Sequence, residues 1–330
     1  MLSLFTFATT YIEEILSLPT VLPEKAATVA LLMVFAILSA LESHSALPKQ
    51  PAKTLRQSYQ TNAGIFIFNS IVISLLSACC LFFVSDHYSG WGLLDYVSSP
   101  VWKAALAFLF LDLMLYIWHR ACHRFDVLWI FHKVHHSDPA LNVSTAFRIH
   151  LLELLITTLL KSIYIITFGI DKKLMLTNEA LFTVFIMLHH SNITFKGENL
   201  LGRVIIVPHL HRVHHSAERC EHDRNYGAVL SIWDRLFGTL AVLEPAQIGI
   251  KGNPPQTFLK LVKFGFTDTA MNPQTLSSSG ACLNLQAMIA EAAYYKAEKR
   301  AFHPGNELCD WLEAKREIIR RVYGDQRVIL

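Results

Sequence analysis

Charged side chains are scarce in this sequence. Lysine, arginine, aspartate and glutamate make up 17% of its 330 residues, whereas hydrophobic residues make up 52%. The mean hydropathy is positive, at +0.35. This composition excludes an ordinary soluble enzyme and indicates a membrane protein. The formal net charge of +3 is too small to indicate a nucleic-acid partner, and we expect none.

Several common sequence signals are also missing. The six cysteines lack the paired spacing typical of zinc or iron–sulfur sites. No glycine-rich dinucleotide fingerprint is present, so we expect no nicotinamide or flavin site of that type. The N-terminal segment lacks a basic n-region and contains Glu13 and Glu14. We therefore interpret residues 1–25 as an amphipathic lead-in helix rather than a cleaved signal peptide.

Apolar runs predict four or five membrane-spanning helices. The clearest, residues 63–84, is uncharged and about 33 Å long at 1.5 Å per residue. Three weaker segments each contain one charge, Asp112, Lys161 or Glu179, and a charge inside a span is expensive and usually functional. The four weaker segments are residues 26–41, 104–118, 154–170 and 174–188.

The distribution of lysine and arginine orients these helices. Basic residues follow the first and third predicted spans, whereas residues 86–101 contain none. Because cytoplasmic loops carry an excess of lysine and arginine, we expect a multi-pass protein whose histidine-rich segments face the cytoplasm. The last two segments, joined by the polar turn at residues 171–173, form either two spans or a hairpin that enters the membrane and returns.

Histidine is concentrated in one region of the chain. Thirteen of the sixteen histidines lie between His119 and His222, mostly in the motifs HRACH, HKVHH and HRVHH. Residues three or four apart share a helical face, so each motif presents two or three imidazoles in one direction. Imidazole binds iron, zinc and copper, and eight such ligands exceed the needs of one ion, so the spacing predicts two metal ions. The eight are His119, His123, His132, His135, His136, His211, His214 and His215.

A polar stripe connects the third predicted span to these motifs. Asp112, Tyr116, His119 and His123 follow one another at helical spacing on one face. We expect Asp112 to accept a hydrogen bond from a ligand imidazole, and Tyr116 to donate one or to line the approach to the metal. Both are therefore candidate catalytic residues. The alternative for both is a polar contact between helices.

Further motifs follow in a specific order: HSNI at residues 190–193, Pro208 before the third histidine motif, NYG at 225–227 and WDRLFGT at 233–239. Together with the stripe and the histidine motifs, this order resembles the fatty acid hydroxylase/sterol desaturase superfamily over roughly residues 42–240. The resemblance implies an all-α fold. The expected architecture is a polytopic membrane helical bundle of four or five spans with a cytosolic histidine-rich helical cap.

The resemblance also enlarges the candidate site. It adds His190, and it adds His150, which lies in RIHLLE where many members have R-x-H-P-x-E, with Leu151 in place of the proline. Asn192 and Asn225 become candidates for orienting ligands or substrate, and Asn192 is taken as a catalytic candidate. Beside the pattern lie His189, His209 and His222. The metal ligands implied are His119, His123, His132, His135, His136, His150, His190, His211, His214 and His215.

The chemistry that the resemblance implies is oxidation of a lipid. Two iron ions (Fe²⁺/Fe³⁺), with O₂ as co-substrate, would attack an unactivated C–H bond, and zinc can replace iron in purified protein. We expect a hydroxylase, or monooxygenase, acting on an acyl or amino-acid-containing membrane lipid. The alternatives are a desaturase using the same site and a non-catalytic metal- or haem-binding membrane protein. Electrons would come from a separate reductase, ferredoxin or cytochrome.

The sequence changes character beyond Leu240. Prolines and an SSSG run predict that residues 241–286 form a cap-surface segment followed by a linker. In residues 287–330, charged and apolar residues alternate at helical spacing around an HPGN turn, which predicts a small helical hairpin. The hairpin resembles a short bacterial domain of unknown function, which implies a bacterial inner membrane. The catalytic domain is then expected to occupy residues 26–240.

Overall fold

The described part of the chain is helical. The computed structural model describes residues 24–45, 47, 49–75, 81–267 and 285–323. Within that part the β-type pairings are two isolated bridges, Ile205–Leu230 and Ser216–Ile248. The predicted all-α class is confirmed. The expected lead-in helix at residues 1–25 lies outside the described residues except for its last two positions.

The chain divides into two compact units, Met1–Asp268 and Thr269–Leu330. This division falls inside the predicted linker, residues 241–286, and the four-domain scheme itself stays a prediction. The helices of the first unit are α1 (Glu24–His44), α2 (Ala52–Leu75), α3 (Leu81–Tyr88), α4 (Pro100–Arg124), α5 (Asp126–His136), α6 (Leu151–Phe168), α7 (Lys172–His190), α8 (Glu198–Leu201), α9 (Pro208–His214), α10 (Arg219–His222), α11 (Ile232–Leu236) and α12 (Phe258–Phe264). Short 3₁₀ turns occur at Leu93–Tyr96 and Val143–Phe147. The second unit contains α13 (Leu285–Lys299) and α14 (Glu307–Tyr323).

Three helices of the described part are long and apolar enough to cross a membrane: α1 over Ala27–His44, α4 and α6. The predicted number of four or five spans is not confirmed. Within the segment expected to be clearest, the structure describes helix up to Leu75 and again from Leu81, and residues 76–80 lie outside the described part. Helix α7 covers the last predicted segment, but it begins with two lysines and ends with two histidines, which makes it polar for a span.

Helices α4, α6 and α7 pack into the main hydrophobic core of the first unit. Leu111 of α4, Ile165 of α6 and Phe182 of α7 are all buried in it. Helices α6 and α7 are joined at Gly169, whose left-handed backbone (φ 68°) and close approach to Asp95 leave no room for a side chain. Because this tight turn makes α6 and α7 antiparallel, the first residue of α6 and the last histidine of α7 lie at the same end of the bundle.

Helix α4 ends close to where α5 begins. The single residue Phe125, with extended backbone, separates the two helices. The chain turns at this residue, so that the HKVHH motif of α5 lies beside the HRACH motif of α4. The sequence alone did not predict this turn, because it contains neither glycine nor proline.

In the second unit, α13 and α14 form the predicted antiparallel pair. Ile289, Ala314 and Ile318 are buried between them. The guanidinium of Arg300 forms an ion pair of 2.6 Å with Asp310 across the connecting turn. These contacts agree with the helical hairpin expected from the sequence.

Candidate metal centre

Nine histidines converge in two groups at the end of the bundle. Within each group the ligand nitrogens all lie within 4.8 Å of one another. Eight of the nine side chains are buried, and His119 is half-buried. The first group consists of His119, His123, His132, His136 and His214. The second consists of His135, His190, His211 and His215.

The two longer motifs each contribute to both groups. In HKVHH, the i and i+4 residues His132 and His136 belong to the first group, whereas His135 belongs to the second. In HRVHH the assignment is reversed, because His211 and His215 belong to the second group and His214 to the first. The groups are therefore adjacent, and the ring of His136 stacks on that of His215 with 4.6 Å between centroids.

In the first group, hydrogen bonds at Nδ1 leave the Nε2 lone pairs facing inward. Nδ1 of His119 donates to the carbonyl of Tyr226 (2.8 Å), and Nδ1 of His132 donates to a carboxylate oxygen of Glu153 (2.7 Å). A carbonyl or carboxylate can only accept, so neither of these neutral imidazoles carries a proton on Nε2. Their Nε2 atoms nevertheless lie 3.1 Å apart. Two lone pairs at this distance repel each other, and a cation between them removes the conflict.

Two further members of the first group strengthen this conclusion. Nδ1 of His123 donates to Asp223 (3.1 Å), and Nδ1 of His214 donates to the carbonyl of Arg224 (2.8 Å). Their Nε2 atoms are buried and have no hydrogen-bond partner in the described part of the chain. Buried acceptors without partners are costly. Four such lone pairs pointing at one place fit a bound metal ion.

Two histidines of the second group have the same arrangement, whereas the Nδ1 atoms of His211 and His215 have no hydrogen-bond partner in the described part of the chain. Nδ1 of His190 donates to the carbonyl of Ile186 (2.8 Å), and Nδ1 of His135 lies 3.3 Å from the carbonyl of Arg148. Their Nε2 atoms are 3.0 Å apart. Nε2 of His211 lies 3.0 Å from that of His190, so these nitrogens also converge on one point. All the ligand atoms are imidazole nitrogens, which suit iron, zinc, copper or nickel.

Burial keeps these imidazoles neutral. Loss of solvation lowers the pKa of His132 and of His135 to about 3. The same cause, reinforced by neighbouring histidines, holds the pKa of His136 well below its ordinary value. A neutral imidazole is the form that binds a metal. At neutral pH the groups therefore present free lone pairs.

The polar stripe on α4 faces residues 223–239 along its whole length. The carboxylate of Asp112 accepts hydrogen bonds from the backbone N–H groups of Val229 (2.9 Å) and Leu230 (3.0 Å) and from Nε1 of Trp233 (2.8 Å). Its described partners include no ligand imidazole, in contrast to the expected bond. Asp112 instead fixes the segment whose earlier residues hold His119, His123 and His214.

Tyr116 is also buried against this segment. Its hydroxyl is 2.9 Å from that of Thr239, and its ring stacks on Phe237 at 5.3 Å. The structure thus places Tyr116 in packing contacts beneath the first group. The side chain of Asn225 accepts from the N–H of Ala241 (2.7 Å) and donates to two carbonyls, which fixes the start of the same segment.

His150 and Asn192 lie outside both groups. The ring of His150 stacks on Phe131, its Nε2 lies 3.2 Å from the carbonyl of Val262, and its Nδ1 accepts from the N–H of Leu152 at the start of α6. The structure thus gives His150 a capping position. The backbone N–H of Asn192 donates to Glu42 (2.8 Å), which connects the end of α7 to α1.

His222 and His189 border the groups. His222 stacks on Trp129 at 5.2 Å and forms a third cluster with His123 and Asp223. His189 is buried with its ring 4.0 Å from that of His211. The third predicted neighbour, His209, lies 3.3 Å from the carboxylate of Glu198.

A buried polar network supports the end of α5. The guanidinium of Arg148 is fully buried and donates to the carbonyl of Val134 (3.0 Å) and the hydroxyl of Ser137 (2.9 Å). Asp138 lies 3.8 Å from it and provides the opposite charge. Because the carbonyl of Arg148 also faces His135, this network fixes both the helix end and the orientation of that ligand.

Sequence reasoning did not identify the residues that hold the imidazoles by Nδ1. In the sequence, Glu153 appears as the last residue of RIHLLE, and no motif predicts Asp223 or Tyr226 as a partner of a ligand. For Glu153 the sequence does contain a signal, because a carboxylate three residues after His150 is a possible hydrogen-bond partner for a ligand imidazole. The carbonyl of Tyr226 left no sequence signal, because every residue has one.

Replacing Glu153 with glutamine is expected to weaken metal binding by about 10- to 100-fold, because the carboxylate that orients His132 becomes a weaker neutral acceptor. Competition with a chelator measures the change. The control is Asp86→Asn, since Asp86 is in an exposed ion pair with Lys172. Equal metal affinity in Glu153→Gln and the wild type would show that Glu153 does not hold the ligand.

Comparisons with known proteins agree with this site. The family model for fatty acid hydroxylase matches residues 104–239, a stretch that contains all nine histidines of the two groups. A model for a protein of unknown function, DUF2934, matches residues 284–319, which correspond to the C-terminal hairpin. No solved structure matches.

Several curated proteins are similar to the region around the site. Alkylglycerol monooxygenase of Caenorhabditis elegans is 32% identical over 181 residues, covering 52% of this chain and 35% of that protein. The human alkylglycerol monooxygenase is 33% identical over 163 residues, covering 48% and 35% respectively. Ornithine lipid hydroxylase OlsE of Rhizobium tropici is 32% identical over 160 residues, covering 48% of each chain. The chain thus spans about a third to a half of the length of these relatives. The histidine-rich region, residues 104–239, thus matches the fatty acid hydroxylase family, and the similar proteins support a relation to the fatty acid hydroxylase superfamily.

Proposed function

We propose that this protein hydroxylates a membrane lipid, using two iron ions held by the two histidine groups. The observation that carries the proposal is the convergence of nine imidazoles in two adjacent groups. Six of these imidazoles are hydrogen-bonded through Nδ1, which leaves their Nε2 lone pairs facing inward. Histidine-rich ligation leaves open positions, and iron bound there would supply the activation of O₂. The relatives' names, a monooxygenase and a lipid hydroxylase, support the same reaction class.

The reaction requires electrons from outside this chain. One oxygen atom of O₂ enters a C–H bond, and the other leaves as water with two protons and two electrons. A separate reductase, ferredoxin or cytochrome would provide the electrons. The protein's own residues would hold the metal ligands in place and keep bulk water out, because His136, His214 and His215 are fully buried.

The membrane helices support a lipid as substrate. Helices α4 and α6, two of the three candidate spans, lead directly to the histidine groups. A chain of an acyl or amino-acid-containing lipid lying along the bundle would therefore end at the metal centre. The lysine and arginine distribution supports a site on the cytoplasmic face of a bacterial inner membrane.

The geometry favours this proposal over haem binding. Axial histidines approach haem from opposite faces, with the macrocycle between them. Five imidazole nitrogens that all lie within 4.8 Å of one another leave no space for that plane. A Soret band in the absorption spectrum of purified protein would contradict the iron proposal.

Lipid analysis of cells expressing the wild type or His135→Ala tests the proposed function. We expect an O₂-dependent gain of one oxygen atom in a membrane lipid with the wild type and no gain with His135→Ala, because His135 is a ligand of the second group. Loss of two hydrogens instead would identify a desaturase. If enzyme that is loaded with metal and supplied with electrons changes no lipid, the proposed catalytic function is wrong. The alternative, a metal-binding role without catalysis, would then remain.

A further inference from the structure

A small, mostly apolar pocket that contains a few polar side chains lies inside the bundle, between helices α4, α6 and α7. Its walls include Leu111 of α4, Lys161 and Tyr164 of α6, and Asn178 and Glu179 of α7. The space open to a water-sized group measures about 10 Å³. It can therefore hold about one oxygen atom and is far too small for a lipid headgroup.

Two charges meet at the mouth of this pocket. The ammonium of Lys161 is 2.7 Å from the carboxylate of Glu179, and the two side chains are 18% and 33% exposed. Lys161 lies within the candidate span α6. Ionisable groups at such depth are expensive and are retained mainly where they have a function. By itself, the Lys161–Glu179 ion pair could simply be a structural contact between α6 and α7, so it does not indicate a ligand.

Asn178 provides a second, independent observation. Its side chain is only 3% exposed, and its Nδ2 atom has no hydrogen-bond partner in the described part of the chain. The nearby hydroxyl of Tyr164 donates to the carbonyl of Ala107 (2.7 Å). An amide donor buried without an acceptor points to an acceptor that a ligand supplies.

The position of the pocket relates it to the metal centre. Lys161 follows Glu153, the partner of His132, by eight residues on α6, which is about 12 Å at the helical rise. Glu179 precedes His190 by eleven residues on α7, which is about 16 Å. Along their axes, the two helices thus place the pocket about 12 Å from Glu153 and about 16 Å from His190, within the apolar part of the bundle.

The outer surface of α6 and α7 near the pocket is apolar. Leu159 and Ile163 of α6 are 60% and 52% exposed, and Leu181 of α7 is 42% exposed. A hydrocarbon chain can lie against these side chains. A polar atom carried by such a chain would reach the pocket from the bilayer.

We propose that this Lys161–Asn178 pocket binds a carbonyl, ether or hydroxyl oxygen located within the chain region of the lipid substrate. The amide of Asn178 and the ammonium of Lys161 would donate to that oxygen, and Glu179 would balance the charge. A fixed distance between this oxygen and the metal centre selects the carbon that is oxidised. The inference rests on the proposed function, since the same lipid is the one hydroxylated.

Binding of defined lipids tests the pocket. The probes are phosphatidylcholines in which one saturated chain carries a single ketone at successive carbons, together with the unsubstituted lipid. Native mass spectrometry of the metal-loaded full chain in detergent gives relative affinities without an electron donor. We expect one narrow range of ketone positions to bind about tenfold tighter than the unsubstituted lipid, as one hydrogen bond provides.

Two variants remove the donors in different ways. Asn178→Leu keeps the side-chain volume, and the double change Lys161→Met/Glu179→Leu removes both charges without leaving one unpaired. Both are expected to abolish the positional preference. Lys172→Met is the matched control on the same helical hairpin, because Lys172 forms an exposed ion pair with Asp86, and it should keep the preference.

Three results would overturn the proposal. The first is a wild-type protein that binds all ketone positions equally, as a water-filled pocket or a purely structural ion pair would give. The second is an unchanged preference in both pocket variants, and the third is loss of the preference in Lys172→Met. Because binding is measured without turnover, failure here is distinguishable from failure to oxidise any lipid.

Discussion

Replacing His136 with alanine is expected to remove one of two metal ions per chain and to lower lipid oxidation more than about 100-fold. Removing a residue that hydrogen-bonds a ligand typically lowers metal affinity or activity by about 10- to 100-fold. Removing the ligand itself should lower them further. His136 is fully buried, with its Nε2 atom 3.2 Å from that of His132. Elemental analysis of purified protein and mass spectrometry of the lipid product measure the two effects.

The equivalent change in the second group is His211→Ala. Nε2 of His211 lies 3.0 Å from that of His190 and 3.2 Å from that of His215. We expect this variant to lose the other metal ion and to be as inactive as His136→Ala, because O₂ activation in the proposed function uses both ions. If both variants are inactive but each loses a different ion, the protein has two metal sites rather than one.

His209→Ala is the control for both histidine variants. His209 lies on the same short helix as His211 but contacts Glu198 and belongs to neither group. Its replacement should leave the metal content and the turnover unchanged. Full metal content together with full turnover in His136→Ala would contradict the assignment of the first group.

The sequence predicted the interior of the membrane helices better than their ends. Residues 104–118 and 154–170 were expected to be helical, and they lie largely within α4 (Pro100–Arg124) and α6 (Leu151–Phe168). The start of α4 depends on Ser99, which caps it, and on the proline that follows. Hydrophobicity reports burial in lipid, whereas caps and turns decide where a helix begins and ends.

Helix α2 shows why hydrophobicity alone does not identify the contacts of a helix. Its first half contains Ser58 and Asn62, which are buried because they bond to Asp138 at 2.7 and 3.0 Å. Asn69, farther along, donates to the carbonyl of Ile149. These polar contacts join positions about 80 residues apart in the sequence, and no local pattern identifies such partners.

At the site, helical spacing identified which histidines share a face but not which histidines belong to the same group. The HKVHH and HRVHH motifs each present their imidazoles on one helical face, and each motif divides between the two groups. The division depends on how α5 and α9 pack against α4 and α7. His150 illustrates the same limit, because its contact with Val262 joins positions 112 residues apart.

Replacing Asp112 with alanine is expected to destabilise the protein by about 3 kcal/mol or more, since each buried donor left without a partner costs about 1–3 kcal/mol. The carboxylate is fully buried and accepts from Val229, Leu230 and Trp233. Thermal unfolding in detergent measures the effect as a large fall in Tm. Asp112→Asn keeps one acceptor oxygen, so its Tm should lie between those of the wild type and Asp112→Ala. Asp86→Ala, which removes an exposed ion pair, should cost less than about 1 kcal/mol.

The same variant should also affect the two metal ions unequally. Asp112 fixes residues 229–233, and the segment just before them holds His119 through Tyr226 and His214 through Arg224. Both histidines belong to the first group. In Asp112→Ala protein that stays folded, we therefore expect weaker binding at the first group and unchanged binding at the second, whose partners Arg148 and Ile186 lie elsewhere in the chain. Chelator titration resolves the two ions, and equal weakening of both would show that Asp112 supports the fold as a whole rather than the ligands of one group.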